Sequence, residues 1–175
     1  TLLTRTLETK LWVEFQNGSR FSAARKFRFE RLIEPFFIQP KQAIPVGDYP
    51  FSEYSLTFAS DRSRMLSGEV RLTTGDFFGG ERDAYRFQVV FRKDYRFEAQ
   101  VTWTHNDVNL PSGKFSTDLV ITRLQYSFSN NLFLKGLIQY SSKLDEVSSN
   151  IRFNFIHKPL SDFFLIYNEK RSTTG

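Results

Sequence analysis

The chain of 175 residues contains no cysteine, which suits a protein exported through an oxidising compartment and equally suits a cytosolic one. It has no run of about 18 apolar residues, and that excludes a membrane-spanning helix. Its two histidines, His105 and His157, lie far apart along the chain and form no ligand pair; each reads as an interfacial or turn residue. No serine sits in a G-x-S-x-G setting and no pair of acids is held on one rigid site, so nucleophilic and general-acid catalysis have no candidate residues. The stretch "LPSGK" (residues 110–114) lacks the glycine spacing, the Ser/Thr after lysine and the following helix of a phosphate loop, and reads as a turn. In "GDFFGGERD", Asp76, Glu81 and Asp83 offer oxygen ligands for a cation, but the glycines around them point to a solvated acidic loop. These absences lead us to expect no enzyme, no metal and no cofactor.

The ends lack signals as well. "TLLTRTLETK" has no initiating methionine, charged n-region or small-residue cleavage site, and "YNEKRSTTG" reads as a loop just entered. The expectation is an internal piece of a longer protein whose targeting signals lie outside it.

Aromatic residues are abundant at 17%, with 20 Phe and 7 Tyr, a composition that favours strands carrying flat rings on a pleated surface. About ten strand candidates of roughly ten residues follow one another, the length that crosses a bilayer at a tilt. Most alternate with period 2. "LETKLWVEFQ" sets Leu7, Leu11, Val13 and Phe15 against Glu8, Lys10, Trp12 and Glu14, and "AYRFQVVFRK" sets Tyr85, Phe87, Val89 and Phe91 against Arg86, Gln88 and Arg92. "FEAQVTWTH" places Val101 and Trp103 opposite Glu98 and Gln100, and "DLVITRLQYSFS" places Val120, Leu124 and Tyr126 opposite Arg123 and Gln125. "NNLFLKGLIQYSS" puts Leu132, Leu134, Ile138 and Tyr140 on one side with Lys135 on the other, and "NIRFNFIHK" separates Phe153 and Phe155 from Arg152. "DFFLIYNE" does not alternate, so its faces stay unassigned.

The connections supply a second pattern. Asn17-Gly18 predicts a type I′ hairpin turn, because both residues accept positive φ. Short and long linkers then alternate, with the long ones at residues 31–50, 74–83, 105–117 and 141–149. An up-and-down sheet puts every second connection on one edge, and outer-membrane barrels pair short periplasmic turns with longer outside loops. The predicted fold class is therefore all-β, an antiparallel up-and-down meander of about ten long strands forming part of a transmembrane β-barrel.

Several stretches, "ERLIEPFFI", "IPVGDYPFSEYSLTFASDRSRMLSGEV", "GDFFGG", "LPSGKFSTDLVITRLQYSFSNNLFLKGLIQYSS" and "SSNIRFNFIHKPLSDFFLIYNEKR", resemble the C-terminal β-barrel region of a bacterial outer-membrane family of unknown function. The N-terminal part of that family resembles a family-nine carbohydrate-binding module. The resemblance implies an outer-membrane barrel joined to a sugar-binding-like module, and brings no active site with it; set against that pattern, residues 1–175 are expected to be a single β-barrel segment whose N-terminal module, early strands and closing strand lie outside it.

Lipid-facing residues are expected to be Phe87, Val89, Phe91, Val101, Trp103, Val120, Leu124, Tyr126, Leu132, Leu134, Ile138, Tyr140, Phe153 and Phe155. Lumen-facing residues are expected to be Arg71, Arg86, Arg92, Glu98, Arg123, Lys135 and Arg152. The net charge of +5 is carried by cations that mostly alternate with carboxylates on the polar faces, a pattern of ion pairs bracing a wet wall, with a basic excess suited to anionic solutes. The aromatics lie opposite the basic side chains rather than among them, which argues against nucleic acid as a partner. Outer-membrane lipid, further strands of a parent barrel, and carbohydrate bound through a module outside the chain are the expected partners, with a transport or anchoring role in the bacterial outer membrane. The alternative is a soluble lipocalin-like barrel holding a small apolar ligand, with its apolar face turned inward.

Overall fold

A computed structural model describes residues 4–39, 42–158 and 161–173. Ten strands form one antiparallel sheet in up-and-down succession: β1 (Thr4–Glu14), β2 (Arg20–Leu32), β5 (Gly47–Ala59), β6 (Leu66–Phe77), β7 (Gly80–Lys93), β8 (Phe97–Leu110), β9 (Gly113–Ser129), β10 (Leu132–Ser141), β11 (Glu146–Lys158) and β12 (Ser161–Ser172). Two short strands, β3 (Phe36–Gln39) and β4 (Gln42–Ile44), make a separate hairpin inside the connection from β2 to β5. The expected meander is present. The sheet is open, with β1 and β12 as its two end strands. The chain divides into two compact units, one of Thr1–Ala59, Val70–Tyr85 and His105–Ser116, the other of Ser60–Glu69, Arg86–Thr104 and Thr117–Gly175.

The turns depart from expectation in two ways. At the first hairpin only Gly18 takes a positive φ, 79°. The Asn17 side chain instead accepts hydrogen bonds from the Ser19 N–H (3.0 Å) and Oγ (2.6 Å). This side-chain cap replaces the second left-handed residue of a type I′ turn. The true two-residue turn with positive φ at both positions is Phe78-Gly79, at 47° and 77°, joining β6 to β7.

The alternation of short and long linkers is also overturned. Residues 74–83 and 105–117 are almost wholly strand, closed by the two-residue turns 78–79 and 111–112, and the supposedly short connection from β5 to β6 spans residues 60–65. Among the described residues, the long connection is the one from Leu32 to Gly47, which carries β3 and β4. Glycine inside these segments marks close backbone approach rather than a loop. A Cβ on Gly75 would lie 2.2 Å from the Ser52 carbonyl oxygen, and one on Gly80 would lie 2.0 Å from that of Asn109.

The connection at 60–65 is capped by Asp61, whose carboxylate accepts from the Ser63 N–H (2.9 Å) and Oγ (2.7 Å). These bonds, the backbone one first, hold the carboxyl below its usual range. A depressed carboxyl stabilises the turn fully above the ordinary carboxylate pKa, and the contribution is lost as pH falls through the lower folded value.

Ladder register settles the strand whose faces the sequence left unassigned. Phe163, Leu165 and Tyr167 of β12 pair with Phe155, Phe153 and Ile151, while Phe164, Ile166 and Asn168 pair with Asn154, Arg152 and Asn150. β12 thus continues both faces of β11, but its second face is itself partly apolar, which hides the alternation.

Candidate functional site

In the first unit, the faces of β1, β2 and β5 separate cleanly. Rows such as Val13–Phe21–Phe58 and Leu11–Ala23–Leu56 share one face, and Glu8–Lys26–Glu53 lies on the other. Arg25 stands within the apolar face, its guanidinium 5.6 Å from the centre of the Tyr54 ring. A groove of about 600 Å³ on that face is lined by Leu11, Tyr54, Leu56, Leu72 and Tyr85 together with Arg25.

The polar face of this unit carries paired charges. Arg82 forms an ion pair with Glu53, and Arg28 stands 3.8 Å from Glu30. Arg71, expected toward a lumen, donates from Nε to the Thr57 hydroxyl at 3.2 Å.

On the same face as Glu53, the end of β5 carries a cluster that no sequence pattern announced. Ile44, Phe51, Phe78, Val108 and Leu110 are all buried, with Leu32, Ile38, Tyr49, Phe77 and Phe115 packed around them. The Phe78 ring meets Tyr49 (5.3 Å), Phe51 (5.0 Å) and Phe77 (5.0 Å) edge to face. A bulky residue at positive φ is strained, and these contacts, each worth about 0.5–1.5 kcal/mol beyond area burial, offset that strain. The β3–β4 hairpin belongs to no larger sheet, and an isolated two-stranded hairpin is marginal in water. Ile44 anchors it in the cluster.

The second unit holds most of the residues assigned to a lipid surface. Phe87 stacks on Trp103 with ring centres 5.5 Å apart, and Trp103 Nε1 donates to Asp118 Oδ1 at 2.9 Å. Phe91 contacts Phe97 at 6.1 Å, while Val89 and Val101 are exposed beside them. Across β9 to β12, the rows Val120–Tyr140–Val147, Leu124–Gly136–Ile151–Tyr167 and Tyr126–Leu134–Phe153–Leu165 lie on one face. Leu132 joins the same face through Phe155, and Ile138 through Thr122 and Ser149.

The opposite face of this unit carries the residues assigned to a lumen other than Arg71, which lies in the first unit. Arg92 Nε donates to Glu98 Oε2 at 2.6 Å, and its Nη1 donates to the Arg62 carbonyl at 2.7 Å. Arg86 reaches the Gln88 side-chain oxygen at 3.3 Å. Lys135 is the ladder partner of Gln125 on one side and of Arg152 on the other, with Arg123 two residues along β9 from Gln125.

The histidines are engaged locally and separately: His105 lies 3.2 Å from Asp107 and against the Tyr85 ring, and His157 lies against Phe155. Asp76 accepts the Ser52 N–H at 2.9 Å. Among the described residues, no three acidic or histidine side chains converge as a metal set. No helix there is long and apolar enough to cross a membrane, which says nothing of crossing by strands.

Compared with known proteins, the chain matches no family model, no curated protein and no solved structure.

Proposed function

We propose that the chain is a segment of a bacterial outer-membrane β-barrel, acting as the membrane anchor or conduit of a binding or transport protein. One observation carries this reading. Among the described residues the buried hydrophobic side chains are only Ile44, Phe51, Phe78, Val90, Val108 and Leu110, while Leu11, Phe58, Val89, Val101, Leu124 and Ile138 stay more than 40% exposed on alternating strand positions. A water-soluble fold of this length buries such side chains and seldom exposes a contiguous apolar face. An apolar solvent removes the conflict.

Strand length supports the same reading, since most strands have 10 to 14 residues, enough to cross a hydrocarbon layer at a tilt. Carbohydrate remains the ligand suggested by the family resemblance, bound by a module outside this chain.

A second reading, a soluble carrier of a small apolar ligand, draws on the groove beside Tyr54 and Leu72. Light scattering separates the two. The barrel segment is expected to be monodisperse only with detergent or lipid, and a chain that stays folded and monodisperse in buffer alone would favour the carrier.

The open ladder leads to a further expectation. β1 and β12 are exposed along nearly their whole length, and each unpaired backbone group in hydrocarbon costs several kcal/mol. Expressed as these 175 residues, the protein is expected to associate edge to edge in micelles. A compact, heat-modifiable monomer on a semi-native gel would mean that β1 and β12 pair with each other.

A further inference from the structure

On the polar face of β9 to β12, three cations stand together without counter-charges among the described residues. Lys135 and Arg152 are direct ladder partners. Arg123 lies diagonally across from Lys135, because Lys135 pairs with Gln125 and Arg123 is two residues further along β9. Like charges directly opposite one another destabilise a sheet, and diagonal neighbours at about 7–8 Å remain within reach of long side chains.

The carboxylates of this face are placed elsewhere. Glu146 pairs with Lys170 at 2.8 Å, Asp162 lies at the far end of β12 opposite Ile156, and the neighbouring Glu98 is held by Arg92 at 2.6 Å. The Lys135 ammonium rests 5.3 Å from the Phe133 ring centre. The other neighbours carry no charge: the amides Gln125, beside Lys135, and Asn150 and Asn154, flanking Arg152 along β11, with Leu137 opposite Arg123 and Ile166 opposite Arg152. In the first unit, by contrast, Arg82 and Arg28 of the polar face have acidic partners in Glu53 and Glu30.

A sequence that pairs some of its cations and leaves three together accepts repulsion at that place. Such local inconsistencies are expected where a site binds something of opposite charge. Two guanidinium forks and one ammonium match an oxyanion of charge near −2, because guanidinium binds phosphate oxygens bidentately and ammonium adds a point charge.

We propose that Arg123, Lys135 and Arg152 form a binding site for a phosphate group, free or carried on a small solute. The site deepens the conduit reading by naming the class of solute its wall favours. It rests on that reading only in taking the polar face as a wet interior, because the cluster itself needs no lipid.

The test is thermal unfolding of the full chain in micelles, or in buffer should it fold there, at matched ionic strength in chloride, inorganic phosphate or glucose 6-phosphate. Binding to the folded state raises the melting temperature in a saturable way. A saturable rise with phosphate and none with chloride is expected; a larger rise with the sugar phosphate would identify a carried group, and a larger one with the free ion would identify phosphate itself. Arg152→Gln should raise the melting temperature in chloride by removing the repulsion and weaken phosphate binding about tenfold, a loss of about 1.4 kcal/mol. Lys135→Gln should act alike, whereas Lys143→Gln, in the turn after β10, should leave phosphate binding unchanged.

Equal rises in chloride and phosphate would reduce the effect to screening and overturn the site. So would a phosphate response that survives both Arg152→Gln and Lys135→Gln. Folding in buffer without detergent would count against the barrel and leave the phosphate result standing.

Discussion

Phe51→Ala is expected to destabilise the folded chain by about 3–5 kcal/mol, the range for removing a buried aromatic ring. Phe51 is 1% exposed, the most deeply buried large side chain among the described residues. It meets Phe78 at 5.0 Å and Phe77 at 6.3 Å, and the Arg28 guanidinium lies 4.6 Å from its ring centre. Arg28 Nε is itself buried without a hydrogen-bond partner, and the half-buried guanidinium is compensated by this ring face together with the Glu30 carboxylate 3.8 Å away. Truncation leaves a cavity, removes one of the cation's two partners and loosens the seat of Ile44.

Denaturant unfolding measures the first effect. Faster hydrogen exchange at residues 42–44 measures the last, because the β3–β4 hairpin has no other sheet to hold it. Phe51→Leu, which keeps most of the volume, should cost less than half as much. A loss below about 1 kcal/mol for Phe51→Ala, ordinary for a surface change, would mean that the cluster is not the stabilising centre of its unit.

The same cluster marks where sequence reasoning stopped. Alternation is legible in "AYRFQVVFRK" and "NNLFLKGLIQYSS" because charges or amides occupy one face and rings or aliphatic side chains the other, so a period of 2 identifies both strand and face. It disappears in "DFFLIYNE" because Phe164 and Ile166 lie on the polar face of β12, and composition alone does not distinguish a partly apolar wall from a core. In the sequence, Phe78, Val108 and Leu110 read as loop residues because glycine, proline and asparagine surround them. The ladder runs through those residues, using Gly75 and Gly80 where neighbouring backbones come too close for a side chain.

Nothing local to "YPFSEYSLTF" shows that Phe51 is covered. The cover is supplied by Ile44, Val108 and Leu110, the last two far away in sequence. The cation cluster was legible in part: Arg123, Lys135 and Arg152 fall on the polar face by alternation alone, but their adjacency depends on register, which alternation fixes only to within two residues.

Register also selects the position at which the membrane reading is most exposed to failure. Leu124 lies within β9, in the row Leu124–Gly136–Ile151–Tyr167, and is 41% exposed. On a protein surface in water, arginine at such a position changes stability by no more than about 0.5 kcal/mol. In hydrocarbon near the bilayer midplane it costs about 2–4 kcal/mol, because the guanidinium must be desolvated or drag water and headgroups toward it. The two solvents therefore predict different outcomes for one substitution. Leu124→Arg and Val101→Arg are expected to show the larger penalty in reversible refolding into lipid bilayers. Gln125→Arg, one residue away on the opposite face, is expected to lose less than about 1 kcal/mol, its cost arising from the like charge of its ladder partner Lys135. Between Leu124 and Gln125 the comparison holds strand, length and local backbone constant and changes only the face. Equal penalties on the two faces would remove lipid from one side of the sheet, and the exposed apolar rows would then need a protein partner or a bound apolar ligand to cover them.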